Sequence, residues 1–415
     1  MHHILPDDPP IVILSAARTP IGRFNGALAP FGALELGALA IGAAISRAGL
    51  DPGQVDTVNM GLVVSAGLGL GPVKAAALRA GLPQGVHTRA IETVCASGMD
   101  AVALAAQSLL LGTAEVALAG GMESRTNAPY LLGPRFTRTT DHCPKGERLR
   151  LQRRGAYRFL LADLPEEQLR ASDLIDPTTY DGLFWPEDRK FMRQYALDFA
   201  ARQGYSVDLV NRFAADSHHK AREATDKGWF RDEIVPAGEV ASDDLLPPER
   251  LQRELEQNPD DLASAYNAST PADNAAALAL TTGGRAAALG LQPIARILGY
   301  ARRDGPPADY ISAPVAAVQE LLDALRAAGR PAGFTIIEAN EAFGVQLPLF
   351  AKAFQGMDMN VHGGAIALGH PLGSAGARIL TTLLHAMRRR QHRLGLATIC
   401  YGGGGAYAMA VEALP

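Results

Sequence analysis

Three cysteines, one histidine and one asparagine carry most of the chemical potential of this sequence. Cys95 stands directly before Ala96 to Leu111, a run of helix formers with apolar side chains on most faces. A thiol at a helix start feels the positive end of the dipole and unpaired N–H groups. That placement predicts a pKa drawn down from its ordinary value of about 8.5 toward neutrality. With an imidazole beside it, such a thiol is a nucleophile. His370 opens a second helical run through about Met387. Cys400 ends the apolar run from Leu396 and is followed by Tyr401 and four glycines, Gly402 to Gly405. Bare backbone at such a turn lets N–H groups reach a ligand or a developing oxyanion. Asn340 follows an apolar strand and could hold a ligand or a water, or simply cap a helix. Each residue alone has a plainer explanation, since cysteine is among the most often buried residue types.

The elements around these residues combine them. Ile11 to Ala16 is a short continuous apolar run rich in β-branched residues, which reads as a buried strand. A helix over Leu34 to Ala48, a strand at Asp56 to Gly61, the helix after Cys95 and a strand from Val116 into Gly120-Gly121 follow. The same order returns with a strand at Ile294, a helix over Val315 to Ala328, a strand at Phe334 to Glu338, the helix after His370 and a strand at Leu396 to Cys400. Successive spacings are roughly 47, 37 and 23 residues in the first half and roughly 42, 34 and 29 in the second. This is an internal duplication of a βαβαβ unit, predicting mostly parallel sheets covered by helices. Cys95 and His370 then occupy matching positions, and two-fold packing of the halves would bring them together.

Leu131 to Tyr266 differs in composition, with charge clusters at Lys145 to Arg154 and Asp243 to Asp261, and its one clear helix is Ser206 to Thr225. It reads as a cap inserted over a site. Asn274 to Thr282 reads as a strand rejoining the first half. The expected organisation is an N-terminal half over 1–130 completed by about 267–289, an insertion over 131–266, and a C-terminal half over 290–415.

Composition excludes several function classes. The 415 residues carry 39 Lys plus Arg against 43 Asp plus Glu, a net charge of -4, so no basic excess exists to neutralise nucleic acid or hold an anionic membrane. Met359 to Ala377 is uncharged and nearly long enough to span a bilayer, but its glycines and polar residues would leave backbone groups unsatisfied in lipid. It reads as a buried wall. Three widely spaced cysteines suggest a reducing compartment, and MHHILPDDPP is no signal or transit peptide, so the cytoplasm is expected. Gly67-Leu-Gly-Leu-Gly lacks the rest of a dinucleotide fingerprint. His218 and His219 read as a solvated pair without a third metal ligand, and Cys143 has no identifiable partner.

Several blocks taken together identify a family. Val94-Cys-Ala-Ser-Gly-Met-Asp-Ala-Val, Gly120-Gly-Met-Glu-Ser, Asn340-Glu-Ala-Phe, Gly363-Gly-Ala-Ile-Ala-Leu-Gly-His-Pro-Leu-Gly and Cys400-Tyr-Gly-Gly-Gly closely resemble the thiolases, in order over nearly the whole chain. The resemblance implies an α/β fold of two duplicated βαβαβαββ halves in a layered α/β/α/β/α arrangement, with an inserted loop domain. It implies that Cys95 takes the acyl group from an acyl-CoA, that His370 accepts the Cys95 proton, and that Cys400 moves the α-proton of acetyl-CoA. His370 with a water on Asn340 would serve one oxyanion, and the N–H groups of Cys95 and Gly402 the other. Leu183, Met192, Ala268, Ser269, Ala342 and Phe343 would contact substrate. No metal and no separate cofactor is implied, with coenzyme A thioesters as substrates and a homodimer or homotetramer as the assembly.

The sequence also departs from the family pattern. Phe191-Met192-Arg193 stands for His-Met-Gly, His362 for Asn, and the basic stretch after Glu233-Ile-Val-Pro is replaced by AGEVASDDLL. Phe191 is expected to place an apolar ring in the acyl pocket. The expected activity is acetyl-CoA C-acetyltransfer. The alternatives are a longer-chain 3-ketoacyl-CoA thiolase, a condensing enzyme for acyl carrier proteins, and a CoA-binding subunit with little turnover.

Overall fold

The computed structural model describes residues 2–132 and 174–415, so Cys143 and the Lys145 to Arg154 cluster lie outside the described residues. The N-terminal half is built from β1 (Ile11–Arg18), α1 (Ala33–Ala48), β2 (Thr57–Gly61), β3 (His87–Ile91), α2 (Ser97–Leu110) and β4 (Val116–Ser124). The intervening segment adds α3 (Met192–Gln203) and α4 (Val207–Asp226), and β5 (Ala272–Thr282) returns to the first half. The C-terminal half comprises β6 (Ala295–Arg303), α5 (Ala313–Ala327), β7 (Ile336–Ala339), β8 (Asp358–Met359), α6 (Leu372–Arg390), β9 (Leu394–Tyr401) and β10 (Gly405–Ala413).

Hydrogen bonding orders the strands β3-β2-β4-β5-β1-β6-β10-β9-β7-β8. Each half therefore repeats one order: third, second, fourth, fifth, first. The halves meet where β1 and β6 pair antiparallel, at Ile13 with Ala295 and Val12 with Arg296. The duplication is thus visible in topology, but the sheets are mixed instead of mostly parallel. β2 runs parallel to β3 and β4, whereas β5 is antiparallel to both its neighbours, and β10 repeats this exactly opposed placement in the second half. For β10 the cause is connection length, whereas β5 reaches the same placement after the inserted segment. β10 follows β9 through a tight glycine turn, which can only return antiparallel.

Side chains alternate between two cores, as the period of a strand requires. Ile11 and Ile13 face a central core shared with α2 and α6, while Val12 and Leu14 face an outer core with α1. In β10, Tyr407, Met409 and Val411 face the central core, and Ala406, Ala408 and Ala410 face α5. The layers therefore run α1, sheet, α2 with α6, sheet, α5.

The described part of the insertion holds more helix than its composition suggests. α3 and the short helices Pro177–Leu183 and Pro248–Gln257 accompany α4. α3 buries Met192, Tyr195, Ala196, Phe199 and Ala200, a helical period that was present in the sequence but interrupted by charges on the other face.

The two central helices cross at glycines. A Cβ on Gly376 would stand 2.5 Å from the Met99 nitrogen, and one on Gly98 would stand 2.7 Å from the Ala377 nitrogen. Gly376→Val should therefore destabilise the fold by about 1–3 kcal/mol through overpacking. At Gly42 in α1, nothing lies within 4 Å of the added carbon, so Gly42→Ala should stabilise by about 0.4–1 kcal/mol. Denaturant midpoints of the two variants check this, and a shift of the same sign in both would contradict it.

Candidate active site

The crossing of α2 and α6 sets the ends of both helices at one place. Cys95 and His370 each precede their helix by two residues. The residue before each has positive φ: Val94 at 45° and Gly369 at 100°. For glycine this is free, but for β-branched Val94 it is strained. The start of α6 is held against the first half by Glu123, whose buried carboxylate accepts from the N–H groups of Gly373 at 2.9 Å, Val63 at 3.2 Å and Val64 at 3.2 Å.

Cys95 and Cys400 are both buried free thiols, contributed by different halves. The Gly402 N–H donates to the Cys95 sulfur, and Cys95 feels the charge of Cys400. Burial and the neighbouring Cys400 push the Cys95 thiol above its ordinary value, against the opposing pull of the Gly402 N–H and Arg125. This reverses the direction expected from a helix start alone: removal of the thiol from water outweighs the dipole. Burial likewise pushes Cys400 up to about 11, although Gln346 Nε2 donates to its sulfur at 3.5 Å.

His370 is 4% exposed and anchored by its N–H, which donates to Thr270 O at 2.8 Å. Burial, then Arg125 and Arg378, pull it down to about 3, so its imidazole is neutral in ordinary buffers. Asn340 follows β7, and its N–H donates to Thr398 O at 2.9 Å, two residues before Cys400 along β9. The side-chain polar atoms of Asn340 and both ring nitrogens of His370 are buried without a protein partner. Buried polar groups are normally satisfied, so these side chains are available to a ligand.

A cavity of about 390 Å³ opens at Val94, the residue before Cys95; Cys95, His370, Asn340 and Cys400 are not themselves in its lining. Val94, Leu183, Met192 and Gly402 line it, together with Trp185 and the carboxylate-bearing Glu92 and Asp181. Leu183 and Met192, two of the residues expected from the resemblance to contact substrate, thus line the cavity. Ala268, Ser269, Ala342 and Phe343 do not line this cavity. They pair with one another: Ala268 bridges Phe343, and Ser269 donates to Ala342 O through its N–H at 3.1 Å and Oγ at 2.8 Å.

Phe191 also falls outside the lining. It is 41% exposed, and its ring packs on Phe184 with centroids 5.1 Å apart. Adjacent side chains on the strand leading into α3 point apart, so Met192 turns inward and Phe191 outward. The expected apolar filling of the acyl pocket by this ring does not occur. Arg193 pairs with Asp261 at 2.6 Å at the surface. His362 is buried between Trp229 and Phe230, each 5.5 Å away, and burial followed by Arg389 pulls it down to about 3. His218 is not solvated as expected: Nε2 lies 2.9 Å from Tyr266 O and burial lowers its pKa. Among the described residues no group of His, Cys, Asp or Glu could hold a metal ion.

Sequence reasoning missed four residues of the site. Gln346 contacts Cys400, and Glu123 ties the α6 start. Arg125 is buried with Nη2 donating to Thr178 O at 2.7 Å, and its charge acts on both Cys95 and His370. Tyr310 Oη donates to Met192 O at 2.8 Å, and the charges of both cysteines act on it. Glu123 and Arg125 lie within or beside a block already singled out; nothing in the sequence marks Gln346 or Tyr310.

Comparison with known proteins agrees with this geometry. The model of the thiolase N-terminal domain matches residues 11–283 and that of the thiolase C-terminal domain residues 291–413. The acetyl-CoA acetyltransferase of Escherichia coli (strain K12) is 40% identical over 419 residues, covering 97% of this chain and 99% of that protein. The acetyl-CoA acetyltransferase of Cupriavidus necator is 37% identical over 427 residues, covering 97% and 99%. The crystal structure of the Acat5 thiolase from Ascaris suum in complex with coenzyme A superposes with a TM-score of 0.81 at 31% identity, over 98% of this chain and 100% of that one. Two family models follow one another along the chain as the two halves of the fold do, and this protein belongs to the thiolase family.

Proposed function

We propose that this thiolase is an acetyl-CoA C-acetyltransferase, joining two acetyl-CoA into acetoacetyl-CoA and CoA or running the same reaction as thiolysis. The observation that carries the reading is the pair of buried thiols from different halves, close enough for Cys95 to feel the charge of Cys400, with the Gly402 N–H on the Cys95 sulfur. The names of the relatives support the short acyl chain.

In the proposed sequence the Cys95 proton passes to neutral His370 and the sulfur attacks the thioester carbonyl. The oxyanion is held by N–H groups at Cys95 and Gly402, and CoA leaves with the proton returned by His370. Cys400 passes its own proton to the again neutral His370, and the thiolate so formed takes a proton from the methyl of a second acetyl-CoA. The resulting enolate attacks the acetyl group on Cys95, forming the carbon–carbon bond as the Cys95 thioester bond breaks, and the released Cys95 thiolate takes its proton back from His370. His370 and Asn340 are the groups available to the enolate oxygen. Coenzyme A thioesters are the only small molecules this sequence of steps needs. Among the described residues the outer edge of β3 is unpaired, which supports assembly with further copies as a homodimer or homotetramer, and the free thiols of Cys95 and Cys400 support a reducing, cytoplasmic setting. Among the described residues no helix is long and apolar enough to cross a membrane.

Three outcomes check the proposal. Cys400→Ala should fail to exchange the methyl protons of acetyl-CoA and should lose at least about a thousandfold in kcat for condensation; retained proton exchange, followed by NMR in deuterated buffer, would assign the proton transfer to another group. With the Cys95 thiol raised by burial and its imidazole neighbour neutral, alkylation by iodoacetamide should climb about tenfold per pH unit from about pH 7 to 9. A plateau reached below neutrality would mean a standing thiolate. Thiolysis kcat/KM should be higher for acetoacetyl-CoA than for 3-ketohexanoyl-CoA. A rise of about fourfold per methylene, the value of burying roughly 0.8 kcal/mol each time, would move the protein to longer-chain substrates.

A further inference from the structure

A chain of hydrogen bonds outside the chemistry just described runs from the turn before Cys95 to the strand pair that carries Cys400. Thr93 Oγ1 donates to one carboxylate oxygen of Asp100 at 2.6 Å, and Tyr407 Oη donates to the other at 2.6 Å. Asp100 is buried in the first turn of α2. Tyr407 is buried in β10 opposite Ile399, the residue before Cys400. The Arg302 guanidinium lies over the rings of Tyr401 and Tyr407, 5.8 and 5.9 Å from their centroids, and donates to Tyr401 Oη at 3.3 Å. Tyr401 in turn donates to Asp304. One polar network therefore links the residue two before Cys95 to the residue after Cys400.

The loop it grips is strained. Val94 keeps its φ of 45° only while its surroundings over-determine it. Its N–H donates to Glu92 Oε1 at 2.9 Å, its carbonyl accepts from Ser97 Oγ at 2.6 Å, and the Thr93 N–H donates to Ser97 Oγ at 2.8 Å. Those bonds lie within residues 92–97 and fix the shape of the turn. The Asp100 carboxylate does something different, because its Tyr407 bond crosses to the other half of the molecule. A buried carboxylate at a helix start that accepts two hydroxyl hydrogens is a strong, directional tie. β10 is the return strand of the hairpin whose tip holds Gly402.

We propose that Asp100 and Tyr407 are positioning residues that set the Cys95 turn against the Cys400–Gly402 hairpin during carbon–carbon bond formation and cleavage. The proposal rests on the thiolase reading of the two cysteines. Neither residue touches the reacting atoms.

The test uses the full-length protein with Thr93→Val, Tyr407→Phe and their combination, plus Asp100→Asn and Asp100→Ala. Each single variant at Thr93 or Tyr407 should lower kcat for acetoacetyl-CoA thiolysis about tenfold, the scale of one lost hydrogen bond, with KM within about threefold. The combined variant should fall no further, because cutting either link severs the same tie. Asp100→Asn should retain more activity than Asp100→Ala, since an amide can accept from one hydroxyl and donate to the other. Unchanged kcat in Tyr407→Phe, or multiplying losses in the combined variant, would overturn the proposal. The alkylation rate of Cys95 needs no turnover and should change at least about threefold in Tyr407→Phe. An inactive wild type with that change intact would sink the thiolase reading and leave the tie standing; an unchanged rate would sink the tie.

Discussion

Everything in the site depends on how closely two helices can approach. α2 and α6 come from different halves, and their contact is made by backbone where Gly98 and Gly376 leave no side chain. Gly373, one turn from His370, packs against Gly61 and Gly121, where a Cβ would come within 2.3 and 2.1 Å of its carbonyl. A methyl group at any of these positions would push one helix start outward. The catalytic consequence is direct, because a displacement of about 1 Å can cost about a hundredfold in rate. Small residues that look merely permissive in the sequence are what let the helix starts behind Cys95 and His370 approach one another.

Bringing these groups inside also changes their acid–base chemistry. Desolvation dominates at each of them, raising both thiols and lowering the imidazole. These three groups are therefore neutral at rest, and they become charged only as the reaction proceeds. That arrangement suits a reaction whose charge develops on carbonyl oxygens, since fixed N–H groups interact more strongly with an oxyanion in a water-poor cavity. It also makes Arg125 significant, because it is a buried cation acting on both Cys95 and His370 while its own charge is disfavoured by burial.

The order of elements was legible in the residues because strand and helix periods are strong where a segment is buried. β1, α1, α2, β9 and the recurrence of the unit could all be read, and so could the pairing of Cys95 with His370 as matching positions. The short edge strands β3 and β8 and the return strand β10 could not, since β3 is largely exposed and β10, buried on both faces, shows no alternation of polar and apolar residues. The direction of the Cys95 shift was misjudged because a helix dipole is visible in a sequence and burial is not. Phe191 was misplaced for a related reason: neighbouring residues point to opposite sides, and only the backbone tells which side faces the cavity. Gln346 and Tyr310 reach the site through tertiary packing alone.

The central claim is that Cys95, and not Cys400, carries the acyl group. Mixing the protein with acetyl-CoA, quenching in acid and mapping the peptides by mass spectrometry tests it directly. The account predicts one acetyl group on the peptide containing Cys95 and none on the peptide containing Cys400. Acetyl on Cys400, or an adduct that persists in Cys95→Ala, would contradict it.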